Sequence, residues 1–174
     1  NGHGKDMACR ELLLTLPRKG LLAYPPAKHA CTTGNNKDVP KIFVEQTPIC
    51  CNIAEIEPVW IEMVRHIDKE PLYNSLVDQF HYLGHAQIVG CNLKYMAFSG
   101  DTPLACVGWG SAAWAVNSRE QFIGWSKTVK DQRLHFIANN TRFLVLPWVS
   151  VKCLASKILA LNIKRISADW LKLY

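Results

Sequence analysis

Residues 93–109 read LKYMAFSGDTPLACVGW. Two apolar runs of strand length, 93–98 and 103–109, flank Ser99-Gly100-Asp101-Thr102, a set of residue types that tight turns favour. The segment therefore predicts a β-hairpin, and the segments on either side extend it into a larger fold.

Two helices are predicted before the hairpin. Residues 58–67 place apolar side chains on neighbouring faces of a helix. Pro71 suits the first turn of a second helix over 72–83, and Gly84 follows in the usual position of a C-terminal cap.

Three further elements are predicted after the hairpin. Residues 118–133 are polar and indicate a helix or a loop, whereas 142–149 form a continuous apolar run typical of a central strand buried on both faces. Residues 151–166 carry apolar side chains at helical spacing, with Ser150 as N-cap. This order of elements predicts an α+β fold.

A small separate unit is predicted at the start of the chain. Residues 5–16 form an amphipathic pattern that stops at Pro17, and a basic turn at Gly20 leads into a short apolar run. Helix, basic turn and short strand is the order found in winged-helix DNA-binding modules, although a helical hairpin gives the same pattern. The polar stretch 27–41 predicts a linker. We therefore expect a winged-helix-like unit with its linker at 1–44 and an α+β domain at 45–174.

Composition favours a cytoplasmic protein without a membrane span or a metal. The chain has 174 residues, 49% of them hydrophobic, and no apolar run near the roughly 18 residues that cross a bilayer. Its seven cysteines are odd in number, include the adjacent pair Cys50-Cys51 and show no Cys-x-x-Cys spacing, so reduced thiols are expected. The first residues lack the order of a secretory signal, and we expect a piece of a longer cytosolic protein.

Charge is distributed unevenly. Residues 1–44 have a net charge of +4 and 45–80 a net charge of −5, whereas 118–174 hold ten basic and three acidic residues, a net charge of +7. A basic segment with embedded aromatic residues is a typical nucleic-acid footprint, because lysine and arginine neutralise phosphates. A solvated basic face would give the same pattern.

Several uncommon clusters of residues occur in an order that resembles the DruA family. They are NGHGKDMACR at 1–10, GLLAYPP at 20–26, FHYLG at 80–84, GWS at 124–126, NNTRF at 139–143, LPW at 146–148 and LAS at 154–156. The family is a component of the Druantia anti-phage defence system, and its relatives also occur beside transposon-type genes. The resemblance implies association with DNA, and with a helicase or other defence or transposon proteins as partners. It also implies that members are longer than this chain at both ends.

The resemblance further implies a mixed sheet flanked by helices, similar in element order to the Gcn5-related acyltransferase fold. In that fold, the N-terminus of a helix after a buried strand binds the pyrophosphate of acetyl-CoA through glycine-rich backbone. The corresponding stretch here, 150–156, reads SVKCLAS and contains no glycine. The sequence therefore disfavours acetyl-CoA, and the cofactor is left unknown.

Candidate site residues come from the same clusters. His81 and His85 have helical spacing, with Asp78 one turn earlier, but Gly84 lies between them, so recognition or packing is favoured over a metal site. Asn139, Asn140 and Arg142 either face a cleft, where they contact bases or phosphate, or form the turn into the strand. Tryptophans would stack on bases or belong to the core. The nucleic-acid or cleft candidates are His81, Tyr82, Gly124, Trp125, Asn139, Asn140, Arg142, Trp148 and Lys152, and the N-terminal DNA-contact candidates are Lys5, Arg10, Arg18 and Lys19.

Two functions of different classes remain open. One is a nucleic-acid-associated component of an anti-phage defence or mobile-element system. The alternative is an acyltransferase-like enzyme that acts on a small molecule or a nucleobase. No catalytic residue is assigned from the sequence.

Overall fold

The computed structural model describes residues 15–16, 19–21, 39–56 and 58–174. The chain forms two compact units, residues 1–35 and 36–174. Within residues 39–174, apart from residue 57, there are six strands, four α-helices and one 3-10 turn. They are β1 (Ile49–Asn52), β2 (Val59–Met63), α1 (Glu70–Phe80), β3 (Asn92–Ser99), β4 (Thr102–Ser111), α2 (Asn117–Ile123), α3 (Lys127–Arg133), the 3-10 turn (Leu134–Phe136), β5 (Ala138–Val145), β6 (Val149–Lys152) and α4 (Leu154–Leu173).

The fold is α+β with antiparallel and parallel strands. Four strands form an antiparallel sheet in the order β2-β3-β4-β5, and β1 pairs with β6 in a separate parallel pair. The predicted hairpin is confirmed as β3 and β4, and Gly100 in its turn has a φ of 53°. This positive φ is why the turn contains glycine.

One long helix packs on each face of the antiparallel sheet. On the α1 face, the ammonium of Lys94 donates to Glu70 Oε1 at 2.8 Å and to Asn74 Oδ1 at 2.7 Å. On the α4 face, Trp109 Nε1 donates to the fully buried Asn162 Oδ1 at 3.0 Å. Alternate residues of β3 and β4 thus contact opposite helices, as the two-residue period of a strand requires. The core lies in the two layers between helix and sheet.

A β-bulge interrupts the pairing of β4 with β5. Gly108 pairs with Arg142 and Trp109 with Asn140, so Thr141 is an extra residue on β5. Asn140 Nδ2 donates to Gly108 O at 2.9 Å and to Arg142 O at 3.0 Å, which bridges the bulge. Bulges redirect side chains at sheet edges, and β5 is at an edge of this sheet.

The helix predicted over 58–67 is wrong, because Val59–Met63 is a strand paired with β3. The apolar residues of this segment fit the spacing of a helix as well as that of a strand, and hydrogen bonds to β3 stabilise the strand. The predicted helix at 72–83 exists but ends at Phe80, since His81 has extended backbone at ψ 133°. The polar segment 118–133 lies largely within the two short helices α2 and α3.

The central strand predicted over 142–149 is also wrong. β5 ends at Val145, is at the edge of the sheet, and is followed by a separate strand, β6. Pro147, which has no N–H to donate, lies in the break between them. The last helix begins at Leu154, and Ser150 lies in β6 instead of capping it.

The winged-helix prediction falls mostly outside the described residues, and so do Lys5, Arg10 and Arg18. Thr15 and Leu16 are helical, and Lys19 lies in an exposed turn with Gly20, whose φ is 69°. The division at residues 44 and 45 stays a prediction. None of the described helices has the length and apolar character needed to cross a lipid bilayer.

Replacing Gly108 by alanine is expected to destabilise the fold by about 1–3 kcal/mol, as overpacking a core does. A Cβ atom there would be 2.7 Å from Tyr73 Oη and 3.1 Å from Thr141 Oγ1. Tyr73→Phe in the same chain removes the closest atom and should recover part of the loss. Urea denaturation of the two single variants and the double variant measures the coupling. A Gly108→Ala protein as stable as the wild type would contradict this packing.

Candidate functional site

The candidate site forms where the loop after α1 meets the bulge of β5. Arg142 Nε donates to Gly84 O at 3.1 Å, and its Nη1 donates to Thr141 O at 2.7 Å. The Nη2 group makes no hydrogen bond to any residue that the structure describes. The guanidinium is therefore held in one orientation and keeps one nitrogen for a ligand.

The loop that accepts from Arg142 has its own local supports. Gly84 N donates to His81 O at 2.7 Å, and the φ of Gly84 is 60°, which favours glycine at this turn. His85 N donates to Asp78 Oδ1 at 3.3 Å, which connects the loop to α1. His81 and Tyr82 stack on each other with ring centroids 4.7 Å apart.

Three buried polar atoms around the bulge lack a hydrogen-bond partner among the described residues. They are Tyr73 Oη, Thr141 Oγ1 and His85 Nε2. Tyr73 is only 1% exposed, and its hydroxyl lies over Gly108 because that residue has no side chain. An unsatisfied buried polar group costs about 1–3 kcal/mol, so a cluster of three calls for an explanation.

The protonation states follow from burial and from the two nearby cations. Burial raises the pKa of Tyr73, and burial also raises that of Cys106, so both stay protonated at neutral pH and neither is an activated nucleophile. Burial and the charge of Lys94 lower the pKa of His85, while burial and Arg142 lower that of His81. Both imidazoles are therefore neutral at pH 7, and Arg142 supplies the charge of the site.

Among the residues that the structure describes, Lys94 and Arg142 are the two cations near the bulge, and only Lys94 has an acidic partner. Lys94 and Arg142 both pair across the strands with Gly108. Lys94 is compensated by Glu70 at 2.8 Å. Arg142 forms no salt bridge with a described residue, so its charge is available to an anion. A guanidinium with fixed geometry and free donors suits phosphate oxygens or the edge of a base.

The structure brings together only some of the predicted residues. Asn140 and Arg142 lie at the bulge, and His81 lies in the loop whose Gly84 O accepts from Arg142, with Tyr82 stacked on His81. Asn139 lies in β5, paired with Gly110, so the two asparagines are in a strand and not in the turn that was the alternative interpretation.

The other predicted residues lie elsewhere. Gly124 caps α2 with a φ of 71°, and Trp125 lines a small cavity with Leu134 and Ile137. Trp148 packs edge-on against Phe80, with ring centroids 5.1 Å apart. Lys152 is exposed on β6 and does not contact Arg142.

Sequence reasoning missed Tyr73, Thr141 and Gly108. Gly108 and Gly110 alternate within a strand, and glycine inside a strand often marks a bulge or a close approach of another group. Gly108 lies inside the predicted hairpin and Gly110 directly after it, so that signal was present in the sequence. Tyr73 gave no signal, because its role depends on packing between distant segments.

Metal and disulfide features are absent from the part of the chain that the structure describes. There, no three His, Cys, Asp or Glu side chains are grouped to hold a metal ion. The described cysteines, Cys50, Cys51, Cys91, Cys106 and Cys153, are all free thiols.

Comparison with protein families gives a match over most of the chain. Residues 18–174 match the model of the family described as Druantia protein DruA. The chain therefore belongs to the DruA family, as its sequence clusters predicted, and this membership suggests a component of Druantia anti-phage defence. Comparison with curated proteins and with solved structures gives no significant match.

Replacing His85 by glutamine is expected to flatten the pH dependence of stability between about pH 7 and pH 5. The folded-state pKa of His85 lies below its ordinary value of 6.5. The unfolded chain therefore binds more protons in this range, and the wild type loses stability as the pH falls. Urea midpoints of both proteins at pH 7 and pH 5 measure the difference. An identical loss in the two proteins would show that His85 does not contribute.

Proposed function

We propose that this chain is a nucleic-acid-associated component of a Druantia anti-phage system, and that Arg142 contacts the phosphate backbone. The observation that carries the proposal is the orientation of this guanidinium by two hydrogen bonds to backbone carbonyls, while Nη2 has no partner among the described residues. An arginine fixed in this way loses little side-chain entropy when it binds an anion.

The charge around the site supports an anionic ligand. Lys127 and Arg133 are exposed on α3, in the segment that leads into β5. The region 118–174 has a net charge of +7, of which Lys157, Lys164, Arg165 and Lys172 lie on α4, on the opposite face of the sheet. Each lysine or arginine that neutralises a phosphate releases counterions, which gives affinity without sequence specificity.

The buried donors near Arg142 add to this argument. Tyr73 Oη and Thr141 Oγ1 lie beside the bulge without partners among the described residues. Because the pKa of Tyr73 is raised, its hydroxyl remains a hydrogen-bond donor at neutral pH. Both atoms are buried and do not reach a ligand directly, but they show that the bulge beside Arg142 is kept despite unsatisfied polar groups.

The proposal includes a second contact with DNA, in the N-terminal unit, most of which lies outside the described residues. The N-terminal unit, 1–44, would bind DNA in a winged-helix-like manner through Lys5, Arg10, Arg18 and Lys19. The α+β domain would supply the Arg142 contact, and other proteins of the defence system, such as a helicase, would act with it. The motivation is the basic turn at the end of the first predicted helix and membership of the DruA family.

Arg142→Ala is expected to weaken binding to nucleic acid and to reduce its dependence on salt. Fluorescence anisotropy with a labelled random-sequence oligonucleotide, single-stranded or duplex, at 50 and 200 mM salt measures both effects. Losing one phosphate contact should lower the slope of log affinity against log salt by about 0.7 to 0.9. Lys172→Ala is the matched control, since it removes one positive charge from an exposed position on α4, the helix of the opposite sheet face.

The proposal fails if the wild type binds neither form of DNA at 50 mM salt, or if Arg142→Ala and Lys172→Ala have equal effects. Circular dichroism confirms that both variants are folded. A rise in melting temperature with acetyl-CoA, together with no DNA binding, would instead favour the acyltransferase-like alternative.

A further inference from the structure

The segment between β4 and β5 exposes three aromatic side chains within 23 residues. Trp114 is 64% exposed, Phe122 93% and Phe136 77%. Apolar side chains in contact with water are disfavoured, and a group of them usually marks a binding surface. Their aromatic character favours a partner with flat faces, because aromatic rings offer stacking area.

This segment lies at the same end of the sheet as Cys91, the last residue of the loop after α1. Ser111 N donates to Cys91 O at 3.0 Å, and Ala112 N donates to Ile137 O at 3.2 Å. These bonds hold the end of β4 beside the start of β3 and the start of β5. The loop that enters β3 adds a further exposed aromatic ring, Tyr82. We call Tyr82, Trp114, Phe122 and Phe136 the aromatic surface.

Cations accompany these rings. Lys130 Nζ lies 5.5 Å from the centroid of Trp114, but Glu120 Oε1 at 2.7 Å compensates its charge, so this pair adds no net charge beside the tryptophan. Lys127 and Arg133 are exposed on the same helix, α3. Phe136 is in contact with His135, with ring centroids 4.0 Å apart, immediately before β5.

We propose that the aromatic surface binds single-stranded nucleic acid, with its rings stacked on unpaired bases and the cations beside the backbone. This inference rests on the proposed function and specifies its substrate. The combination of exposed rings and interleaved lysine and arginine is the arrangement that single-strand binders use. A duplex hides its base faces in the stack, so these rings gain nothing from it except at its ends.

Phe136 and Arg142 lie in the same stretch of chain. Phe136 lies two residues before the start of β5 at Ala138, and Arg142 lies further along this strand, past the bulge. Six residues of extended chain span about 20 Å, so a single strand of several nucleotides would be needed to reach both. The loop carrying Tyr82 accepts a hydrogen bond from Arg142 through Gly84 O, which joins the two parts of the surface.

The test compares affinities for a 20-nucleotide poly-dT strand and for a 20-base-pair mixed-sequence duplex, by fluorescence anisotropy in 100 mM salt. The single strand should bind more tightly. Phe136→Ala and Phe122→Ala should each weaken single-strand binding about fivefold or more, the loss of one stacked base, and leave duplex binding unchanged. Phe43→Ala is the matched control, because Phe43, at 88%, has an exposure between those of Phe136 and Phe122 and lies in the segment before β1.

The outcomes separate this inference from the proposed function. If Arg142→Ala weakens binding but the two forms of DNA bind equally, or if the phenylalanine variants match Phe43→Ala, the aromatic surface is not a single-strand site and the proposed function survives. If neither form binds, both fail. Self-association of the wild type that Phe136→Ala abolishes, without single-strand binding, would assign the surface to a protein contact and overturn the inference. Circular dichroism of each variant excludes misfolding as the cause of a loss.

Discussion

The absence of a side chain at Gly108 is the constraint on which the arrangement depends. It lets the Tyr73 hydroxyl lie against the backbone of β4, where a Cβ atom would be only 2.7 Å away. The same gap receives Thr141, the extra residue of the bulge, and Arg142 pairs with Gly108 across the strands. The approach of α1, the bulge in β5 and the direction of Arg142 are therefore linked through one position in the sheet.

The bulge leaves buried polar groups without hydrogen bonds, and side-chain packing alone does not explain why the fold keeps it. It leaves Thr141 Oγ1 and Tyr73 Oη buried without partners among the described residues, beside a guanidinium that forms no salt bridge there. Lys94, in the same cross-strand row, is compensated by Glu70 and Asn74. Natural proteins keep unsatisfied groups mainly at functional sites, and the uncompensated Arg142 lies beside this cluster.

Local patterns were enough to predict some elements. The hairpin followed from apolar runs around a turn that requires glycine at Gly100, and the helix after Pro71 followed from apolar spacing. Val59–Met63 was predicted as a helix because its apolar residues fit both periods, and only pairing with β3 distinguishes them. The edge position of β5 depends on the order of strands in the sheet, which local sequence does not specify.

Part of the candidate site, like part of the fold, could be predicted from the sequence. Arg142 and Asn140 were identified from a polar cluster before an apolar run, and both lie at the bulge. Tyr73 could not be found, because it is far from them in sequence and meets them only when α1 packs on the sheet. Phe122 and Phe136 lie in the basic segment whose aromatic residues indicated a nucleic-acid footprint, but the sequence could not show which of these rings the folded chain leaves exposed.

Hydrogen–deuterium exchange of the protein with and without a poly-dT strand tests the central claim most directly, because it locates the ligand without any substitution. The account predicts slower exchange in residues 81–85 and 134–142, where the loop after α1 and the start of β5 meet at Arg142. Protection confined to α4 or to the β1–β6 pair, with these two segments unchanged, would contradict it.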